Sequence, residues 1–419
     1  MEIGSGSYGH VYKVNESTAL KKIIIRDTIP RVDGSFIKEC NSLMLLKGCH
    51  NIVEIQRVCI ENMCQNIYVK LYDFDLYGFM AYISRDIGKI FELTFKMMND
   101  MSVGLTFIHC NGLMHRDIKP NNILVKKENE QWNFYIADFG SCIPYCKGFF
   151  YYNNICNTGY AQPELDYLDK SGYSKYTQKI DVWCAGKCFF DFLSIEHTDN
   201  TIRKSIQKCT TKLPAGKIES KKLLNKENIP NIFCDIIDCC LEIDPTSRIS
   251  SHELYKKLNG NMSPNDFIVF SKSIVQNKHI KEGSEITQNM LLPCIEWIIK
   301  ICRMCKKFPY IALLSIDILY RVLTNFEIKK NNLQNLASAC MVISDEFDEH
   351  VDDCSIIDIL RDSFNMIEIH KTVVFILESL NYVIFTPDFV KYIEDVNLNN
   401  DIADKKTYNY IKKFYGCTD

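Results

Sequence analysis

The ten residues His115-Arg116-Asp117-Ile118-Lys119-Pro120-Asn121-Asn122-Ile123-Leu124 hold the chain's densest set of side chains able to do chemistry. An acid, a lysine two positions later and an asparagine five positions later suit phosphoryl transfer. Asp117 can take the proton of an attacking hydroxyl, Lys119 can neutralise charge on the group in flight, and Asn122 can hold a magnesium ion. A polar turn between two strands is the competing reading. The other parts that such a loop needs must therefore be sought elsewhere.

Those parts are present. Sixteen residues beyond Asn122, after the β-type run Phe134-Tyr135-Ile136, comes Asp138-Phe139-Gly140. Asp138 there suits magnesium bridging the β- and γ-phosphates of ATP. Near the start, Ile3 leads into Gly4-Ser5-Gly6-Ser7-Tyr8-Gly9-His10-Val11, a glycine-rich loop whose backbone can fold over phosphates. Ile3, Gly4, Ser5, Gly6, Ser7, Tyr8, Gly9 and Val11 are the candidate nucleotide contacts, with Val11 capping the adenine. Lys21 ends an apolar strand just downstream and can reach the α- and β-phosphates. Glu39 lies on a helical stretch from Phe36 to Lys47 and is the candidate anion that holds Lys21.

The elements that must position these residues follow from pattern. A hinge is expected at Tyr72-Asp73-Phe74-Asp75, and Met98, Met101, Leu105 and Ile108 mark a helix ended by Asn111-Gly112. The chain has 419 residues, enough for two or three domains, and its net charge of −3 gives no reason to expect direct nucleic-acid binding. No apolar run approaches the roughly eighteen residues of a membrane span, so no membrane association is expected. The 20 cysteines are scattered and are expected to be reduced; Cys302 and Cys305 read as helix packing and not as a metal pair. The wealth of Ile, Asn and Lys suits an AT-rich genome such as that of a large DNA virus or a protist. The expectation is a soluble intracellular protein, cytoplasmic or nuclear, in the host cell if the source is viral.

Residues 1–258 resemble a eukaryotic-type protein kinase domain, with a small lobe over about 1–72 and a large lobe over about 76–258. The glycine-rich loop, Lys21, Glu39, the 115–124 loop and Asp138 match that family in order. Lys119 is the Ser/Thr-type residue. The resemblance implies ATP and Mg2+ as cofactors and a protein substrate carrying Ser or Thr. Asp181 matches the helix that anchors the loop, and Arg248 the arginine that pairs with a buried glutamate, here Glu164. The family's Ala-Pro-Glu is Gln162-Pro163-Glu164, and no Ser or Thr lies between Cys142 and Asn157 to accept an ordering phosphate.

After a linker over 259–284, helical stripes recur: Leu291, Ile295 and Ile298; Ile311, Leu314 and Ile318; Leu336, Ala337 and Cys340; Ile369, Val373 and Ile376. Strand-like alternation returns only at Tyr382-Val383-Ile384-Phe385. Residues 285–395 resemble a cyclin box, leaving 396–419 as a tail. The implied fold class is an α+β two-lobed kinase followed by an all-α cyclin-like domain. In cyclins a lysine before the third helix and an acid after it grip the kinase; Lys329 or Lys330 and Asp352 or Asp353 are the candidates. The kinase half resembles cyclin-dependent kinases, through Asp33-Gly34-Ser35-Phe36-Ile37-Lys38-Glu39, so an intramolecular kinase–cyclin-box contact is expected, with activation in cis. The rival is a catalytically silent kinase-fold platform whose cyclin box recruits another kinase or a transcription or cell-cycle partner.

Overall fold

The computed structural model describes residues 1–395 except 7–8, 25–30, 62–63, 84–88, 147–150, 153–159, 161, 167–172, 175, 195–228, 261–262, 268–279 and 349–354. Ser7, Tyr8, the candidates Asp352 and Asp353, and the tail at 396–419 thus lie outside the described residues. Within the described helices none is long and apolar enough to cross a membrane.

The first lobe is a five-stranded antiparallel sheet in the order β1-β2-β3-β5-β4, made of Glu2–Gly6, Gly9–Lys13, Thr18–Ile24, Cys64–Lys70 and Ile55–Glu61 respectively. Helix α1 (Gly34–Leu45) covers it. Asp33 caps α1 by accepting from the Ser35 and Phe36 amides, and buried Gln65 on β5 fixes the approach by accepting from Asp33 N–H and donating to the Arg31 carbonyl.

The second lobe is helical around a small sheet. Strands β6 (Phe74–Asp75), β8 (Ile123–Glu128) and β9 (Gln131–Ile136) pair, while β7 (Leu113–Met114) and β10 (Ile143–Pro144) form a separate ribbon. The expected hinge is pinned to this lobe, since Asp73 N–H donates to the Val125 carbonyl and Phe74 pairs with Val125. Helix α2 (Leu76–Ile83), α3 (Ile90–Cys110), α4 (Lys179–Leu193), α5 (Asn231–Cys240) and α6 (Ser251–Asn259) complete it. Buried Met97, Met98, Met101, Leu105 and Ile108 form the inner stripe of α3, as the spacing predicts.

The third body is all helical: α7 (Gln288–Met304), α8 (Pro309–Asn325), α9 (Leu333–Asp345), α10 (Ile356–Arg361), α11 (Met366–Ser379) and α12 (Pro387–Asp395). Helices α8 and α9 are nearly enclosed, which suits central members of a bundle. Cys302 and Cys305 are both buried there, and no group of three or more metal-ligating side chains exists among the described residues. The alternation at Tyr382–Phe385 does not make a strand. It is a connector: the Tyr382 and Val383 amides bond back to the Leu377 and Leu380 carbonyls, while the Ile384 and Phe385 amides and the Val383 and Ile384 carbonyls go to side chains of other elements, Asn41 and Arg321.

Candidate active site

The register of the first sheet sets Val11 opposite Lys21 and Gly4 opposite Val11, so these residues share one face. Gly9 has φ +139°, and a Cβ there would lie 2.6 Å from the Lys22 carbonyl oxygen. A side chain at position 9 is therefore excluded by backbone, which leaves the loop close to β3. Ile3 sits at a register irregularity of β1 and is exposed, whereas the strand pairing carries Gly4, Ser5 and Gly6 toward Gly9.

Lys21 stands at the junction of three elements. Its Nζ donates to Glu39 Oε2 at 2.6 Å and to Asp138 Oδ1 at 2.7 Å. Burial opposes the lysine's charge, but the two carboxylates outweigh it and hold the ammonium above its ordinary value. Burial pushes Glu39 up, to about 7, against the pull of Lys21. Asp138 is also pushed up by burial, but Lys21 more than offsets this, so its carboxyl stays below the usual range. Asp138 takes the left-handed conformation, φ 62°, and the following Phe139 is fully buried, edge-on to His115 at 4.8 Å.

The 115–122 loop is pinned from below. Asp181, fully buried on α4, accepts from His115 N–H and Arg116 N–H at 2.8 Å each and from His109 Nε2 at 2.9 Å. Burial disfavours its charge, yet these donors bring its carboxyl below the ordinary value. Arg116 has φ 67°, so the loop holds a residue in a sparsely populated conformation that Asp181 secures. Burial drives the His115 pKa down and keeps the ring neutral. Its Nε2–H then donates to the Ala137 carbonyl, and Nδ1 accepts from Asp117 N–H.

Asp117, Lys119 and Asn122 converge above that base. Lys119 Nζ lies 2.9 and 2.7 Å from the two carboxylate oxygens of Asp117, and Asn122 Nδ2 donates to Asp117 Oδ2 and to its carbonyl at 2.8 Å each. With its amide nitrogen so used, Asn122 offers its side-chain oxygen as a ligand. That oxygen and the Asp138 carboxylate are hard donors, a set that fits Mg2+, which is usually held by few protein groups together with phosphates. The large-lobe brace is formed too: Arg248 donates to Glu164 through two nitrogens at 2.5 and 2.8 Å.

Arg116 shows what sequence reasoning missed. Its Nε donates to the Ser141 carbonyl at 2.8 Å and one terminal nitrogen to the Tyr176 hydroxyl at 3.3 Å. Nothing in the spacing of Tyr176 marks it for this contact. The contact between the third body and α1 was expected, but not its residues. Asn41 Oδ1 accepts from Ile384 and Phe385 N–H at 2.8 Å each, and Phe36 meets Tyr382 edge-on at 6.2 Å. One acid of the third body that reaches the kinase half is Glu346, 3.8 Å from Arg31. The Lys330 backbone, by contrast, bonds to Glu285 within its own body.

Comparison with known proteins agrees with this architecture. The protein kinase domain family matches residues 1–258, and the N-terminal domain of cyclins matches residues 268–385. A protein named as a serine/threonine-protein kinase of Acanthamoeba polyphaga mimivirus is 29% identical over 210 residues, 49% of this chain and 36% of that protein. The chain thus spans about a third of that relative's length. Cyclin-dependent kinase C-3 of Oryza sativa subsp. japonica is 25% identical over 60% of this chain and 87% of its own length. Cyclin-dependent kinase 1 of Encephalitozoon cuniculi is 27% identical over 60% and 91% respectively.

Proposed function

This chain belongs to the protein kinase family, and we propose that it transfers the γ-phosphoryl group of ATP to Ser or Thr hydroxyls of proteins, activated in cis by its own cyclin-like domain. The observation that carries this reading is the state of α1. Glu39 on one side of the helix holds Lys21, which also meets Asp138, while Asn41 on another side is held by the third body. The pairing that activation must create is formed in the presence of the tethered domain.

In this reading Asp117 accepts the proton of the substrate hydroxyl as the hydroxyl oxygen bonds to the γ-phosphorus and the bond to the β-phosphate oxygen breaks. Lys119, already against Asp117, neutralises charge on the transferred group. Lys21 orients the α- and β-phosphates, with Glu39 fixing it in place. Ile3, Gly4, Ser5, Gly6, Ser7, Tyr8, Gly9 and Val11 contact the nucleotide. Asn122 and Asp138 would hold magnesium, which when bound would supply charge neutralisation at the phosphates.

The hold on Arg116 by Ser141 and Tyr176 supports activity without a loop phosphate, because the guanidinium already has partners. The test is phosphate transfer from labelled ATP to a generic basic protein by the full chain, before and after phosphatase treatment. Equal transfer in both samples, lost on Asp117→Asn, is expected. Transfer that vanishes with phosphatase would refute independence from phosphorylation; no transfer by a folded chain would favour a silent platform.

A further inference from the structure

We infer that Asn41 is a positioning residue for phosphoryl transfer, tying the helix that carries Glu39 to the segment Val383–Phe385, which Arg321 grips from its other side. The inference rests on the kinase reading above and assigns the coupling to particular side chains. Residues two apart on an α-helix point about 200° from one another, so Glu39 can face β3 while Asn41 faces the third body. Asn41 is 1% exposed, and its one oxygen takes both the Ile384 and the Phe385 amide hydrogens, filling its acceptor capacity.

The other edge of the same segment is held as firmly. Arg321 donates to the Ile384 carbonyl at 2.7 Å and also to the Val383 carbonyl, and Asp317 lies one turn away at 3.5 Å from its guanidinium. Both side chains are buried in α8. Immediately before the segment, Asn381 and Tyr382 have φ of 50° and 60°, two successive non-glycine residues in the left-handed region. They close the C-terminal end of α11, where the Tyr382 amide donates to the Leu377 carbonyl at 2.7 Å, and so set where the segment begins. The amide groups of Ile384 and Phe385 and the carbonyls of Val383 and Ile384 therefore go to two side chains, one from each domain. Asparagine is a poor choice for the middle of a helix on propensity alone, and a leucine would fill similar space. Of the two, only the asparagine has an oxygen to satisfy the two N–H groups.

A merely adhesive Asn41 would affect stability without touching the Glu39 pathway. The experiment uses the full chain with Asn41→Leu, Asn41→Asp, Glu39→Gln and the Asn41→Leu/Glu39→Gln double variant. Asn41→Leu is expected to speed hydrogen exchange over 34–45 and to lower kcat/KM about tenfold or more, the scale of one orphaned buried N–H. Asn41→Asp keeps an oxygen able to accept both hydrogens and should restore most of the activity. Glu39→Gln should cost much less in the Asn41→Leu background than alone, because both act on one pairing. Exchange unchanged over 34–45, or losses that simply multiply, would overturn the inference. If Asn41→Leu does not fold, Arg321→Lys carries the same expectations at smaller amplitude, since it gives up the forked donor. If the unmodified chain transfers no phosphate, the kinase reading fails by itself, and the exchange comparison still decides the coupling.

Discussion

Two irregular segments of this molecule, the 115–122 loop and the 381–385 connector, are held in the same way and differ in what they present. Each contains residues in the left-handed region, Arg116 in the first and Asn381 with Tyr382 in the second. Each is pinned by buried polar side chains on a neighbouring helix, Asp181 on α4 and Arg321 on α8. The loop presents side chains, Asp117, Lys119 and Asn122, at the candidate active site. The connector presents backbone amides to a helix. Buried partners thus fix an irregular backbone at the candidate active site in one place and at the contact between the two halves in the other.

The sharpest way to break the comparison is to remove the chemistry from one segment only. Asp117→Asn should lower phosphate transfer by about 10²–10⁴-fold, the range for one general base, with little change in melting temperature. Equal effects on transfer and on stability would mean that Asp117 is a structural member of the loop.

Next in size is Asp181→Ala. It strands the His115 and Arg116 amides and deprives His109 of its acceptor, so a stability loss of about 2–4 kcal/mol is expected on thermal or denaturant unfolding. Arg321→Met, its counterpart at the connector, leaves two carbonyls with fewer donors and Asp317 without its guanidinium, and should cost about 1–3 kcal/mol. A larger loss for Arg321→Met than for Asp181→Ala would reverse the ranking of the two anchors.

A smaller effect is expected from pH at the docking face. Burial raises the Glu346 carboxyl from its ordinary 4.5 to about 7, with Arg31 and Lys38 pulling it down and Asp345 and Asp33 adding to the rise. The docked state then binds the proton more tightly than the undocked one. Docking is strongest below about 4.5 and weakens as pH rises through about 7, with no further change above. Protection from exchange over 34–45, taken relative to the intrinsic rate at each pH, should fall between about 4.5 and 7, and Glu346→Gln should flatten that profile.

The smallest expected effect concerns Gly34. A Cβ there would fall 2.0 Å from Glu346 Oε2, the mobile end of a side chain, which must move aside. Alanine also favours the helix by about 0.5–1 kcal/mol over glycine. Gly34→Ala should therefore be nearly neutral in the native chain and stabilising once Glu346 is also replaced by Ala, as read from melting temperatures.

The architecture was largely legible from sequence. Helical stripes such as Met98, Met101 and Leu105 are buried as read, because a helix inside a domain must hide one face. The Tyr382–Phe385 alternation was read as strand-like, but Tyr382 closes the end of α11 with its amide on the Leu377 carbonyl, and Asn41 and Arg321 take the polar groups that follow. Glu346, an acid found against the kinase half, carries no signal of that contact, while the candidates Asp352 and Asp353 lie outside the described residues. Asn41, Gln65 and Tyr176 carry no local signal, since an asparagine in a helix or a tyrosine in a loop is common and solvated in most settings.

By itself the sequence determined the family and laid out the candidate parts of its site. Phosphoryl transfer demands fixed residue types at fixed spacing, and the spacing of Asp117, Lys119 and Asn122, with Lys21 and Asp138 in order, can be read without coordinates. Only the tertiary structure decided how the two halves are coupled. Hydrogen bonds between a helix side chain and backbone more than three hundred residues away, as from Asn41 to Ile384 and Phe385, leave no periodicity and no spacing in the chain. Backbone amides are the same at every residue, so which of them is left to be satisfied by a distant partner is a property of the fold.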